Sequence, residues 1–279
     1  MAGARYNRPC ISSPSWKGPV SVSGSVPEKL ASPVFYSPGA EEHPHVDRDE
    51  VLRYLGYAGQ EIGWELSEWI EGIVAGVERD FAPQGVRRVF PVDASSLDAS
   101  GQPCIRLEGS EVVLSGRDVY RHLKDADWCA LMAVTLGSAC ERRLRVLSSQ
   151  RPSEAVVFDA ACSAYAEAAI GCMDADVREA AGGLSLSANW RFSCGYGDCP
   201  LDAQPSIVAS LDATRRIGLT VLPSNLLLPS KSVTAMVGLF RGRPGSADAR
   251  PTCGVCRMRG SCAFRKRGVT CYGETVSTD

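Results

Sequence analysis

Twelve cysteines against three histidines define the chemistry open to this 279-residue chain. Cys253, Cys256, Cys262 and Cys271 fall within 19 residues as Cys-x2-Cys-x5-Cys-x8-Cys. Thiolates so spaced can converge on one tetrahedral metal or on an iron–sulfur cluster, and spacing alone does not separate zinc from a cluster. The alternative is a solvated tail of free thiols. Between Arg241 and Cys271 eight basic residues stand against one acidic residue, Asp248. That local charge suits an acidic partner, nucleic acid if the segment is a zinc-ribbon-like module, or simply solvent. The histidines, His43, His45 and His122, are too few to favour His-based metal sites or Ser–His and Cys–His catalysis. His43 and His45 share a proline-bearing stretch and read as solvated.

A second group of reactive types lies in Asn189-Trp-Arg-Phe-Ser-Cys-Gly-Tyr-Gly-Asp-Cys-Pro200. Arg191 supplies a planar fork matched to a carboxylate or phosphate. Gly195 and Gly197 flank Tyr196 and, lacking Cβ atoms, let backbone approach a ligand closely. The Tyr196 ring offers a face to a cation and its hydroxyl a polar contact. Such a loop suits a zwitterionic, cationic molecule. The plainer reading is a tight turn between a strand and a helix, with Arg191 in a surface ion pair. Pro200 stands where a Gly-x-Gly-x-x-Gly turn needs its third glycine, and Lys231-Ser232 lacks the glycines of a P-loop. Cys194 and Cys199 bracket Gly-Tyr-Gly-Asp, where packing is favoured over a redox or ligand role. Cys104, Cys129, Cys140, Cys162 and Cys172 sit in or beside apolar stretches and read as small buried hydrophobes; Cys10 belongs to the N-terminal stretch.

The elements that must position these groups follow from periodicity. Residues 1–46 are rich in Ser, Pro and Gly without a sustained apolar period, which predicts a disordered or loosely docked arm. Order is expected from Asp47, with a short helix around Val51, Leu52 and Leu55. Ile62, Leu66, Trp69, Ile70, Ile73, Val74, Val77 and Phe81 follow a helical period, with Trp64 and Trp69 as core or boundary aromatics. A strand follows at 86–92. The stretch 112–124 predicts a strand and then a short helix begun by a capping box of Ser115 and Asp118. Trp128–Leu136 is apolar apart from Thr135 and predicts a buried strand feeding a helix at 138–148. An Ala-rich helix spans 153–181 with a break near Gly171. A helix near 203–214 and strands at 217–222 and 232–240 complete an α+β domain with a mixed or antiparallel sheet. No internal repeat is present.

With 30 basic and 32 acidic residues the net charge of −2 argues against wholesale binding of nucleic acid or membrane surface. No uninterrupted apolar run reaches the roughly 18–20 residues of a membrane span. The first ten residues lack the apolar segment of a secretory signal. The expectation is a cytoplasmic protein, where cysteines point to metal, cluster or redox chemistry more than to disulfides.

Three segments together resemble one family. Arg191-Phe-Ser-Cys-Gly195-Tyr196 is similar to the Arg-x-x-x-Gly-Tyr motif of the S-adenosylmethionine-binding reactivation (activation) domain of cobalamin-dependent methionine synthase. Ile217-Gly-Leu-Thr-Val-Leu-Pro-Ser-Asn-Leu-Leu-Leu-Pro229 followed by Ser232-Val resembles that domain's Leu-Thr, Met-x-Pro and Ser-Val segments. Asp159-Ala-Ala-Cys-Ser-Ala-Tyr-Ala-Glu-Ala resembles its Ala-Glu-rich helix. The resemblance spans residues 47–240 and is strongest over 155–240, while Val51-Leu-Arg-Tyr-Leu-Gly56 looks closer to stand-alone relatives.

The resemblance implies a C-shaped α+β domain on a twisted antiparallel sheet with flanking helices, followed by the Cys-rich tail 241–279. It implies a reactivator that presents S-adenosylmethionine while cob(II)alamin is reduced, so that methylation traps the reduced cobalt. Arg191 would grip the methionine carboxylate, the backbone around Ser193 and Gly195 would meet adenosyl or amino groups, Tyr196 would line the pocket, and Glu167 would take the amino group. The sequence has no Asp-x-His-x-x-Gly cobalamin-ligating motif, which assigns the cobalamin to a separate corrinoid protein. An electron donor such as flavodoxin or ferredoxin is then expected, with the Cys-rich tail as another electron carrier or a structural metal clip. The competing readings are a zinc or iron–sulfur interaction module docking through its basic tail, and a small-molecule methyltransferase, against which the missing glycine turn counts.

The tail yields a direct test. If its four cysteines share one metal or cluster, each single Cys→Ser change at 253, 256, 262 and 271 lowers bound metal, read by elemental analysis, without unfolding the domain at 47–240. Full metal content in all four variants would remove the shared site.

Overall fold

A computed structural model describes residues 25–39, 42–57 and 60–242, with Gly260 and Arg265. In chain order its first half holds α1 (Glu28–Ala31), β1 (Val34–Tyr36), α2 (Arg48–Tyr54), α3 (Trp64–Asp80), β2 (Gln84–Asp93), β3 (Ile105–Leu107), β4 (Val113–Leu114) and α4 (Arg117–Leu123). The second half holds β5 (Trp128–Thr135), α5 (Gly137–Gln150), α6 (Pro152–Gly182), β6 (Leu186–Ala188), a 3-10 turn (Leu201–Ala203), α7 (Gln204–Ser210), α8 (Ala213–Ile217), β7 (Thr220–Val221), β8 (Leu227–Leu228) and β9 (Ser232–Arg241).

The apolar run at Trp128 becomes the centre of the sheet. Its order is β4-β3-β2-β5-β9-β6, with β1 also paired to β2, and every pairing is antiparallel. All eight residues of β5 are buried, and alternate side chains serve opposite faces. Trp128, Ala130, Met132 and Val134 pack with Ala169, Ile170, Met173 and Val177 of α6. Cys129, Leu131 and Ala133 pack with Val119, Ile207, Val208 and Ala213 from α4, α7 and α8. Helices therefore cover both faces of an α+β fold, and α2, α3 and α5 pack in turn on α6.

Helix α6 runs unbroken for 31 residues through Gly171, where a break was expected. One glycine in a helix interior costs about 1 kcal/mol. Burying Ile170 and Met173 beside it returns ~1.5–3 kcal/mol each. Length and composition would let α6 cross a bilayer, but most of its apolar window is buried inside the protein. Gly85 on β2 leaves room for Met173 of α6 to pack against the sheet. A Cβ there would lie 2.9 Å from the Ala133 carbonyl oxygen and meet the Met173 sulfur.

Several expectations are corrected. Order begins before Asp47: Leu30 of α1 is fully buried in the α6 face of the sheet, and β1 pairs with β2 from Val34↔Arg87 to Tyr36↔Gly85. A three-residue strand has no period to read; its partner supplies its stability. Trp64 is 73 % exposed and Trp69 also faces solvent, because α3 turns Ile70, Val77 and its half-buried Ile73 and Val74 inward. The helix near 203–214 divides at Asp212, which adopts φ 51°. The strand at 217–222 contracts to β7, which pairs with β8 outside the main sheet. Cys104, Cys129, Cys140 and Cys162 are buried free thiols as expected, and Cys172 is half-buried.

The docking of α1 carries a measurable consequence. Leu30→Ala empties a fully enclosed position and should lower unfolding free energy by about 2–4 kcal/mol in urea denaturation. An unchanged midpoint would show that residues 28–36 are not part of the folded unit.

Candidate functional site

The segment after β6 is pinned to β9 by a buried amide. Asn189 Oδ1 accepts from the Gly238 backbone N–H at 2.7 Å, its Nδ2 donates to the His122 carbonyl at 2.7 Å, and its own N–H donates to the Gly238 carbonyl at 3.1 Å. Gly238 permits this approach, since a Cβ there would sit 2.9 Å from Asn189 Nδ2. Three residues on, Phe192 exchanges both backbone hydrogen bonds with Met236, at 2.9 and 2.8 Å. Extended backbone alternates its side chains. Trp190 and Phe192 turn to His122, with ring centroids 4.5 and 5.2 Å from the imidazole.

Arg191 between them turns the other way and meets Glu167 of α6, Nη2 to Oε2 at 2.6 Å. The two side chains are 26 % and 31 % exposed, so the pair is neither solvated nor sealed. Sequence placed both residues in the site, and the fold brings them into direct contact. The plainer reading of Arg191 as an ion-paired side chain is met by Glu167, the residue expected to share its ligand.

Helix α2 adds residues that periodicity did not single out. Arg53 donates to both carboxylate oxygens of Glu50, the Nε bond being 3.0 Å, and lies 4.9 Å from the Tyr54 ring centroid. Burial, then the neighbouring carboxylates of Glu167 and Glu50, holds the Tyr54 phenol well above its ordinary pKa, and Tyr196 acts in the same direction. Tyr54 thus lies within electrostatic reach of Glu167 and of Tyr196. The signal within the helix was Tyr54 standing off the apolar positions Val51, Leu52 and Leu55, beside an i,i+3 ion pair. What it faces depends on the α2–α6 contact. A cavity of about 500 Å³ extends from Tyr54 between α2, α5 and α6.

The turn itself is held by its own backbone. Tyr196 N–H donates to the Ser193 carbonyl at 3.2 Å, Cys199 N–H to the Tyr196 carbonyl at 3.1 Å, and Gly195 N–H to the Cys199 carbonyl at 2.9 Å. Gly195 and Gly197 take φ 88° and 57°, a region that disfavours side chains. Tyr196 is 56 % exposed at the tip and Gly195 is open beside it. Gly197 serves the fold: a Cβ there would collide with the Asp118 carboxylate. Asp198 accepts from the backbone N–H groups of Arg117 and Asp118 at 3.0 and 2.9 Å. It caps α4 from another segment, so the expected Ser115–Asp118 capping box is replaced by a tertiary cap.

This arrangement can exchange partners with a zwitterion, a carboxylate for Glu167 at Arg191 and an ammonium for Arg191 at Glu167. No group of three or more His, Cys, Asp or Glu able to hold a metal occurs among the described residues. Cys253, Cys256, Cys262 and Cys271 lie outside the described residues.

No protein-family model matches the chain, and no curated protein matches it. A solved structure does. The fold is similar to that of the MetH reactivation domain bound to AdoHcy. The match covers 91 % of this chain and 95 % of that one, with a TM-score of 0.58 and 14 % sequence identity. At that identity the likeness speaks for the fold, and it is the fold that the sequence resemblance implied.

His122 gives the site a pH limit. Burial lowers its pKa from 6.5 to about 4, so the neutral ring is the folded form. Stability from that neutral ring is complete above pH 6.5 and lost as pH falls from 6.5 to 4, at up to ~1.4 kcal/mol per unit. His122→Phe keeps the aromatic stack on Trp190 and Phe192 without a titrating group. Denaturation at pH 7 and 4.5 should show a smaller acid loss in the variant than in wild type; equal losses would place the ring in water.

Proposed function

We propose that this chain binds S-adenosylmethionine at the Arg191–Glu167 pair and serves as a reactivator of a corrinoid held by a separate protein. The observation that carries the reading is that pair, 2.6 Å apart and part-buried, with Tyr54 in electrostatic reach of Glu167. The fit can be argued group by group. The α-carboxylate of S-adenosylmethionine takes the Arg191 fork and its α-ammonium takes Glu167, so neither protein charge is left without an opposite partner. The sulfonium is a cation that a phenol face tolerates, and the Tyr196 ring, 56 % exposed, supplies one. The open backbone at Gly195 lets the adenosyl group approach closely. The likeness in fold to a domain whose structure holds AdoHcy supports the same ligand class.

S-adenosylmethionine supplies an electrophilic methyl group, and the partner's reduced corrinoid is its acceptor. The residues of this chain hold and orient. Arg191 and Glu167 fix the amino-acid end, leaving the methyl-bearing sulfur to be aimed by Tyr54 and Tyr196 toward the exposed side of the loop. The sequence carries no Asp-x-His-x-x-Gly, so the corrinoid and its ligation are assigned to the partner.

Arg191 is the sole Arg or Lys between Arg178 and Arg215, and no neighbour in the segment can replace it. Arg191→Ala should weaken S-adenosylmethionine binding by about 2–4 kcal/mol in calorimetry. Arg191→Lys should recover only part, because an ammonium cannot reproduce the fork. Folding stability should fall by only ~1 kcal/mol or less, the scale of a part-exposed ion pair. Unchanged binding in Arg191→Ala, or none to wild type, ends the proposal. With a reduced corrinoid partner added, methylation should follow the same order across the variants.

A further inference from the structure

Cys194 and Cys199 lie at the two ends of the turn that carries Tyr196, with their sulfurs 3.9 Å apart and the Cys199 thiol directed at Cys194. Both are buried, at 7 % and 3 % exposure, yet Gly195, Tyr196 and Gly197 between them are all exposed. Both thiols belong to the apolar cluster of Phe192, Ala203 and Ile207, and the exposed turn joins them. A disulfide requires sulfurs at about 2.05 Å, so the loop must close further for the bond to form. Its ends cannot supply that movement, since Phe192 is paired to Met236 and Asp198 to the α4 amides. The movement falls on residues 193–197, which contain the two glycines at positive φ.

A second pair provides the contrast. Cys140 and Cys162 are 3.3 Å apart and fully buried between α5 and α6. They are closer, but they lie on two packed helices with no glycine turn between them.

We propose that Cys194 and Cys199 form a reversible thiol–disulfide site that sets the position of the Gly195-Tyr196 tip. The oxidant class is a hydroperoxide. The Cys194 thiolate attacks one peroxide oxygen, the O–O bond breaks, and the departing hydroxide takes up the proton the thiol released. The Cys199 sulfur then displaces hydroxide from the Cys194 sulfenic acid, the S–O bond breaks, the S–S bond forms, and the Cys199 proton leaves in water. Two thiols lose two electrons and two protons, and one hydrogen peroxide becomes two waters. The hydrogen bond from Cys199 favours the Cys194 thiolate and pushes its pKa below the ordinary thiol value, which assigns Cys194 as the attacking sulfur. A dithiol reductant reverses the bond. Coupling to ligand rests on the S-adenosylmethionine reading above: the closed turn displaces Tyr196 from its place lining the ligand site.

Trypsin cleavage after Arg191 and Arg215 yields a peptide holding Cys194, Cys199 and no other cysteine. The full-length protein is treated with stoichiometric hydrogen peroxide, alkylated, digested and weighed. The expected product is that peptide lighter by two hydrogens and unalkylated, restored to two alkylated thiols by dithiothreitol, while Cys140 and Cys162 stay reduced. Cys194→Ser and Cys199→Ser each abolish the product. Two alkylated thiols after peroxide, or sulfinic acid in place of the disulfide, overturn the proposal. In calorimetry the oxidised protein should bind S-adenosylmethionine at least fivefold more weakly than the reduced; equal affinity overturns the control of the tip. If the reduced protein binds no S-adenosylmethionine, the functional reading fails, and tip control is then decided by hydrogen exchange at Gly195–Gly197, where equal protection in both redox states overturns it.

Discussion

The rest of the molecule depends on β5 having no solvent side. A strand buried on both faces must have a hydrophobic layer above and below, and this one finds α6 on one face and α4, α7 and α8 on the other. Polar groups that cannot enter those layers are displaced to the ends of strands and the turns beyond the sheet. The segment from Asn189 to Pro200 is where the chain accommodates them. Its entry into the fold requires the buried Asn189 amide to be bonded at both ends, because an unpaired amide at that depth costs more than the contact returns. With Asn189 fixed, the extended backbone leaves Arg191 facing α6 and Glu167.

The strength of the Arg191–Glu167 contact suits exchange. A fully sealed ion pair is costly to separate, because each charge loses its partner without regaining water. A fully solvated one organises nothing. At roughly a quarter to a third exposure, each group keeps access to water during exchange while the backbone on each side stays held. Glu167 sits on a 31-residue helix and Arg191 on a segment hydrogen-bonded to β9. The charges are therefore preorganised on rigid elements, and Tyr196 at the exposed tip is the adaptable component.

Long periodic elements were legible from sequence: α3, α5, α6, β2, β5 and β9 follow from runs whose period repeats enough to exceed noise. Arg191 and Glu167, singled out by residue type and order in short motifs, are brought into contact by the fold. What was not legible depended on distant partners. The cap of α4 comes from Asp198, about eighty positions away. The strand β1 exists because β2 pairs with it. Tyr54 acquires meaning only when α2 docks on α6. Trp64 and Trp69 fit a helical period yet face outward, since a period identifies the helix more firmly than its buried stripe. Gly197 read as a ligand approach, and the fold uses it to admit Asp118.

The double anchoring of the turn also governs how such a chain can vary. Phe192 is registered against Met236 and Asp198 against the first amides of α4, so the span between them has a set length. An inserted or deleted residue would break either the strand register or the helix start, each far from where the change was made. Substitutions at Ser193 and Tyr196 carry no such penalty, whereas positive φ holds Gly195 and Gly197 to glycine. In a lineage sharing this scaffold, diversity in the turn should accumulate by replacement of side chains at constant spacing, with length changes confined to the loops that neither β9 nor α4 constrains.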